Sequence, residues 1–241
     1  MYRIRLQLPQ GMSCGYQNLD LLHDALVNGW IAAGATPKMI IGKQALPWNF
    51  APLGNHHESG NRVHTLVVSA GHPDLVRYLA AMDPSEVHKS RTITKEYINF
   101  TEAAIQVDPD PIAQNQSRLE ILLLSPLAIR QRTGKRHWYT NMADAPLTAA
   151  INSRFSRLTG RSVNLEVVPD HLYLRANPRH SVLVHLKRFA NGKTSFVLGM
   201  SAPLTLIGSD EDLRLAWYAG LGEKTRNGFG CIGLLAGGVG R

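Results

Sequence analysis

The spacing of apolar side chains over the first 110 residues predicts alternating strands and helices. Residues 2–8, YRIRLQL, alternate in polarity, which predicts a half-buried strand. Leu19, Leu22, Leu26 and Trp30 recur at helical spacing, and Gly34 ends a predicted helix over residues 18–33. The pattern further predicts strands at 46–53 and 62–70, a helix at 74–82, and one long strand or two over 92–107. This β-α-β-β-α-β order is typical of a ferredoxin-like fold.

A second half with the same mixture of elements follows an irregular segment. Residues 108–117, DPDPIAQNQS, contain two prolines and no periodicity, so we predict a linker there. Beyond it the pattern predicts strands at 119–129, 163–168, 181–189, 193–206 and 231–235, with helices at 146–158 and 209–219. We therefore predict an α+β protein with two domains, residues 1–110 and 118–241.

Charge indicates the kind of partner. The chain has 241 residues, a formal net charge of +8 and a pI near 9.7, so a polyanion is favoured, nucleic acid first. No apolar run is long enough to cross a membrane, and MYRIRLQL lacks the apolar centre of a signal peptide. Cys14 and Cys231 are far apart in sequence, so we expect free thiols and a cytoplasmic protein. His56, His57 and Glu58 have no further ligand at metal spacing, and we predict no metal site.

The densest signal lies near the C-terminus, where an apolar helix enters a glycine-rich loop and a short strand leaves it. Lys224 and Arg226 lie between the glycine pairs; the four glycines are Gly220, Gly222, Gly228 and Gly230. Closely spaced main-chain N–H groups in such a loop can face a phosphate, and the two cations add positive charge. The order helix-loop-strand excludes a P-loop and a dinucleotide fingerprint. A structural glycine turn remains open as the alternative.

The arrangement G-L-G, five residues, G-F-G and a strand resembles the glycine-rich loop of the RAMP superfamily, in particular the endoribonucleases that cut CRISPR repeat RNA. Three further segments are similar to that family in the same order: LLHDALV at 21–27, PWNFAPL at 47–53 and LLLSPLAI at 122–129. The resemblance implies two tandem ferredoxin-like (RRM-like) domains. It also implies RNA cleavage without metal or cofactor.

Candidate catalytic residues follow from this resemblance and from the chemistry. RNA cleavage without metal needs a base for the 2′-hydroxyl and an acid for the 5′ leaving oxygen, and histidine can serve in either role. His23 matches the family's first-helix histidine, although a helix-edge histidine without function is the alternative. The loop at 34–45, where many members place the histidine, contains Lys38 and Lys43 instead. These lysines could stabilise the phosphorane, as in the arginine-type cationic sites of type IV members, and Tyr16 could orient the hydroxyl.

Two basic segments are candidates for RNA contact. Cations and an aromatic residue follow one another at Arg130, Arg132, Lys135, Arg136 and Trp138, and could bind stem phosphates and stack on an unpaired base. Arg154 and Arg157 lie on one face of a predicted helix. A solvated hairpin tip and a solvated helix face are the alternatives.

The resemblance implies an endoribonuclease that cuts CRISPR repeat hairpins to mature guide RNA, with 2′,3′-cyclic phosphate and 5′-hydroxyl products. Other subunits of a CRISPR effector complex are expected partners, and a membrane is not. The first alternative is a non-catalytic RAMP subunit that caps guide RNA. A general tandem-RRM protein is disfavoured, because the RRM signature segment does not occur.

Overall fold

The structure, a computed structural model, describes residues 1–57, 60–92, 95–132 and 137–237. Its first half is built around an antiparallel sheet with helices on one face. The elements are β1 (Tyr2–Gln7), β2 (Cys14–Tyr16), α1 (Leu19–Ala32), α2 (Pro37–Ile40), β3 (Trp48–His57), β4 (Gly60–Ala70), α3 (Pro73–Ala80), β5 (His88–Arg91), β6 (Glu96–Asn99) and β7 (Ala104–Val107).

The first sheet has the strand order expected from the sequence. β4 pairs with β3 on one side and with β1 on the other, and β1 pairs with β7. The sheet order β7-β1-β4-β3 is that of a ferredoxin-like domain, with β2 added beside the first part of β4. Helix α1 buries Leu22, Leu26 and Trp30 against this sheet, and its chain direction changes at Gly34, where φ is +95°.

The second half repeats this arrangement. Its elements are β8 (Arg118–Leu123), α4 (Leu147–Thr159), β9 (Glu166–Pro169), α5 (His171–Ala176), β10 (Ser181–Arg188), β11 (Thr194–Met200), β12 (Leu204–Ile207), α6 (Asp210–Ala219) and β13 (Ile232–Leu234). The sheet order is β13-β8-β12-β9, again ferredoxin-like, and β10 and β11 form a separate hairpin. The predicted α+β fold with two ferredoxin-like units is confirmed. The division into 1–110 and 118–241 stays a prediction.

Several predicted strands are wrong in extent. The strand predicted over 119–129 ends at Leu123, because the chain turns at Ser125, whose hydroxyl accepts a hydrogen bond from the N–H of Cys231 at 3.0 Å. The strand predicted over 193–206 is two, β11 and β12, and the segment 92–107 contains β6 and β7 separated by a turn. β2, α2, β5 and α5 were not predicted, since each is short and has little periodicity.

The second face of the first sheet packs against the second half of the chain. Ala51, Leu53 and Val67 from β3 and β4 form a buried cluster with Leu124 and Cys231. In the same interface the amide of Asn49 donates to the Tyr218 carbonyl at 2.7 Å. The two units are therefore joined by buried contacts, and the loop after α6 lies beside this interface.

Within the residues described, no helix is long and apolar enough to cross a membrane.

Candidate functional site

The glycine-rich loop, residues 220–230, packs tightly between the two halves. All four glycines are buried and have φ between +66° and +82°. A Cβ at Gly230 would lie 1.8 Å from the Leu221 carbonyl oxygen, and one at Gly228 would lie 3.0 Å from the Phe50 ring. Glycine is therefore required at these positions by backbone conformation and by close packing.

Several N–H groups of this loop are used inside the protein. The N–H groups of Gly220, Gly228 and Gly230 donate to the carbonyls of Ala216, Thr225 and Pro126. These N–H groups cannot at the same time donate to a phosphate. For these three glycines the structure therefore supports the alternative of a structural glycine turn. Lys224, by contrast, is exposed, with φ +62° at the start of a 3₁₀ turn, Thr225–Asn227.

Arg154 holds this loop from helix α4. Its guanidinium donates to the carbonyls of Gly220 at 2.6 Å and Ala219 at 3.0 Å, and to the Thr225 hydroxyl at 3.1 Å. Burial, together with the charges of Arg226 and Arg157, lowers the pKa of Arg154 to about 10. The side chain predicted to bind RNA thus also caps the C-terminus of α6, where a cation is favourable.

A cationic cleft opens between the glycine-rich loop, helix α4 and the loop before β3. Its volume is about 580 Å³. Lys43 lines it from the first half of the chain, and the second half contributes Arg130, Arg132, Arg154, Arg157, Lys224 and Arg226. The Nη1 atom of Arg226 is buried without a hydrogen-bond partner among the described residues, and burial lowers the pKa of this guanidinium. The cleft thus concentrates positive charge from distant parts of the sequence and suits a polyanion.

One carboxylate lies among these cations. Glu223 is 3.4 Å from Nε of Arg130, and the Arg130 guanidinium covers the Trp138 ring at 5.3 Å from its centroid. One face of Trp138 is therefore already occupied by Arg130. Lys135 and Arg136 lie outside the described residues, as does Glu58, which follows His56 and His57 in the sequence.

His23 lies on α1, a helix that contacts the 3₁₀ turn Thr225–Asn227, but it is not among the residues that line the cleft. Its side chain is 18% exposed, its ring stacks on Trp48 with centroids 5.7 Å apart, and Nδ1 is 3.2 Å from Asp24 Oδ1. Burial opposes ionisation of Asp24, but the hydrogen bond with His23 and nearby positive charges hold the pKa of Asp24 below its usual value. An ionised Asp24 favours the proton on Nδ1, which leaves Nε2 as the acceptor.

The other candidate catalytic residues are more scattered. Tyr16 is 4% exposed within the first core, and burial raises the pKa of its hydroxyl. Lys38 is exposed on α2 and does not line the cleft, whereas Lys43 does. Sequence reasoning missed Glu223 as a site residue. The available signal was the position of this carboxylate between the two glycine pairs.

Comparisons with known proteins agree with this architecture. The family model described as CRISPR associated protein Cas6, C-terminal, matches residues 108–234. Comparison of the sequence with curated proteins gives no match.

Solved structures match nearly the whole chain. The product of a Cas6-related gene from Pyrococcus furiosus is 15% identical, with a TM-score of 0.70 over 97% of this chain and 98% of that chain. A RAMP protein that binds different RNA substrates is 17% identical, with a TM-score of 0.64 over 98% and 100%. A Cas6 product complex is 15% identical, with a TM-score of 0.59 over 97% and 98%. At these identities the matches show the fold.

Proposed function

The chain belongs to the CRISPR associated protein Cas6 family, and from this premise we propose that it binds CRISPR repeat RNA in the cationic cleft and cuts it without a metal ion. The observation that carries the proposal is the cleft itself. Lys43 comes from the first unit, and Arg130, Arg132, Arg157, Lys224 and Arg226 come from the second. Guanidinium and ammonium groups bind phosphates by charge and by directed hydrogen bonds.

The proposed chemistry uses His23 as the base. Nε2 of His23 accepts the proton of a 2′-hydroxyl, the 2′-oxygen bonds to the adjacent phosphorus, and the bond from phosphorus to the 5′-oxygen breaks. A cation of the cleft stabilises the phosphorane and gives the leaving oxygen a proton, and Lys43 is the preferred candidate for this role. The products are a 2′,3′-cyclic phosphate and a 5′-hydroxyl. Helix α1 contacts the 3₁₀ turn that forms one wall of the cleft, which supports this use of His23.

The test is incubation of the purified protein with its repeat RNA in EDTA, for wild type, His23→Ala, Lys43→Ala and, as a control, His171→Ala. His171 is exposed on α5. We expect cleavage by wild type and the control, and a loss of about 10²–10⁴-fold in His23→Ala with RNA binding retained. Cleavage of RNA with a 2′-deoxy sugar at the cut position would contradict 2′-hydroxyl attack. Unchanged cleavage by His23→Ala would move the chemistry to Lys43 or the arginines.

The alternative function is a RAMP subunit that caps guide RNA without cutting it. His23 stacks on Trp48 and is not among the residues that line the cleft, which favours this alternative. Tight hairpin binding by wild type with no cleavage would support it. Assembly with other effector subunits, cytoplasmic location and a type IV subtype stay predictions.

A further inference from the structure

A second, smaller cavity opens beside the cationic cleft. Its volume is about 310 Å³, and Tyr139, Ser153 of α4, Gly222 and Glu223 contribute to its wall. This volume lies at the lower end of small-molecule sites, about 300–1,000 Å³. It shares Glu223, Arg130 and Arg157 with the cleft, so a nucleotide of a strand in the cleft can enter it.

Glu223 is the acidic residue that lines both cavities. A carboxylate only accepts hydrogen bonds, and so do phosphate oxygens, so Glu223 repels the RNA backbone. It can bind RNA only through an N–H or O–H donor of a base or a sugar. Its side chain is 40% exposed beside Arg130, so a ligand can reach it.

The backbone holds Glu223 in a defined place. Its N–H donates to the Ala128 carbonyl at 2.8 Å. The preceding residue, Gly222, has φ +71°, and a Cβ there would lie 2.6 Å from the Ala128 oxygen. An acceptor carried on a fixed backbone favours recognition of a particular donor edge over general charge balance.

We propose that this cavity binds one unpaired guanine of the RNA, with the Glu223 carboxylate accepting from N1–H and from the N2 amino group. Guanine presents two adjacent donors on its Watson–Crick edge, which match the two carboxylate oxygens. Adenine and cytosine present an amino group beside an acceptor nitrogen, which the second oxygen repels. Tyr139 provides a ring on which the base can stack. The inference rests on the proposed function.

The experiment compares three RNA octamers: plain oligouridine, oligouridine with one central guanosine, and oligouridine with one central inosine, which lacks the N2 amino group. Binding to the full-length protein is measured by fluorescence anisotropy for wild type, Glu223→Gln, Glu223→Ala and the control Glu211→Gln. Glu211 is an exposed carboxylate paired with Arg161 at 3.2 Å. We expect wild type and the control to bind the guanosine octamer about tenfold more tightly than the inosine octamer. Both Glu223 variants should lose most of this preference while binding plain oligouridine more tightly, because a negative charge has left the cleft.

Two outcomes would overturn the inference alone. One is oligouridine binding with no preference in wild type, and the other is a preference that both Glu223 variants keep. Competition by GMP and IMP distinguishes the source of the base: GMP binding without any gain for the guanosine octamer would assign the cavity to a free nucleotide and reject the RNA proposal. No binding of any octamer or of the repeat RNA would reject the proposed function as well.

Discussion

At the scale of single residues, Arg3 of β1 is a charge buried between the two units. Its side chain is fully buried, donates to the Ile232 carbonyl at 2.8 Å and lies 4.2 Å from the centroid of the Trp217 ring. Nε is 3.2 Å from Asp108 Oδ2, and Nη2 has no hydrogen-bond partner in the described part of the chain. Burial lowers the pKa of Arg3, against the opposing charge of Asp108. Arg3 therefore connects β1 to β13 and α6. The removal of its guanidinium from water opposes this stabilisation.

We expect Arg3→Met to lower the free energy of unfolding by about 1–3 kcal/mol, because the charged hydrogen bond to the Ile232 carbonyl is lost. Asp108 keeps its ion pair with Arg5 at 2.7 Å, so the lost contact to Asp108 adds little. Urea unfolding followed by tryptophan fluorescence measures the change. Arg118→Met is the matched control: its pair with Glu120 is exposed, and such pairs contribute about 0–1 kcal/mol. Equal effects of the two substitutions would contradict the role given to Arg3.

At the same scale, Arg154 and Arg157 are neighbouring cations of α4 for which we expect different roles: Arg154 anchors the glycine-rich loop, and Arg157 binds RNA. We expect Arg154→Ala to speed amide hydrogen exchange over residues 219–227, since three hydrogen bonds to that segment are lost. Arg157→Ala should weaken RNA binding and leave the exchange unchanged, because its Nε donates within its own helix, to the Ser153 carbonyl. Exchange that is the same in both variants would argue against anchoring by Arg154.

At the scale of elements, the glycine-rich loop is defined by its fit between α1, β3 and β13. Gly230→Ala should destabilise the protein by about 3 kcal/mol, at the upper end of overpacking effects, because the new Cβ would overlap the Leu221 carbonyl. Gly192→Ala, in the turn between β10 and β11, is the control. Its φ is +81° but nothing lies within 4 Å of a Cβ there, so only backbone strain of about 1–2 kcal/mol remains. Differential scanning calorimetry would compare the two, and similar losses would reject the packing argument.

At the scale of the whole molecule, the cleft should bind RNA mainly through counterion release. Each phosphate contact made by a cation adds about 0.7 to the slope of log Kd against log salt concentration for single-stranded RNA. We therefore expect Lys224→Ala to lower this slope by about 0.7. Arg118→Ala, outside the cleft lining, should leave the slope unchanged. A slope unaffected by Lys224→Ala would place the RNA elsewhere.

Periodicity and composition were sufficient for much of this molecule. The order of strands and helices follows from apolar spacing, because strand and helix present side chains with different periods. The two ferredoxin-like units, the net positive charge and the glycine-rich loop were all predicted from the sequence. Short elements such as β2 and α5 were missed, since three to six residues hold too little of a period to detect.

The sequence by itself therefore determined the local elements, their order and the sign of the charge. Tertiary structure alone decided what each polar residue does. Arg3 alternates with Ile4, a pattern that predicts a solvent-facing side chain. The second unit covers that face of the sheet, and Arg3 is buried. The local pattern places Arg154 on a basic helix face. In the structure its guanidinium donates to the carbonyl of Gly220, 66 residues later. Lys43 and Glu223 line one cleft because the two units pack together across an interface that no local pattern encodes. The physical reason is that burial and electrostatic surroundings depend on contacts between distant segments, whereas periodicity reports only on neighbours along the chain.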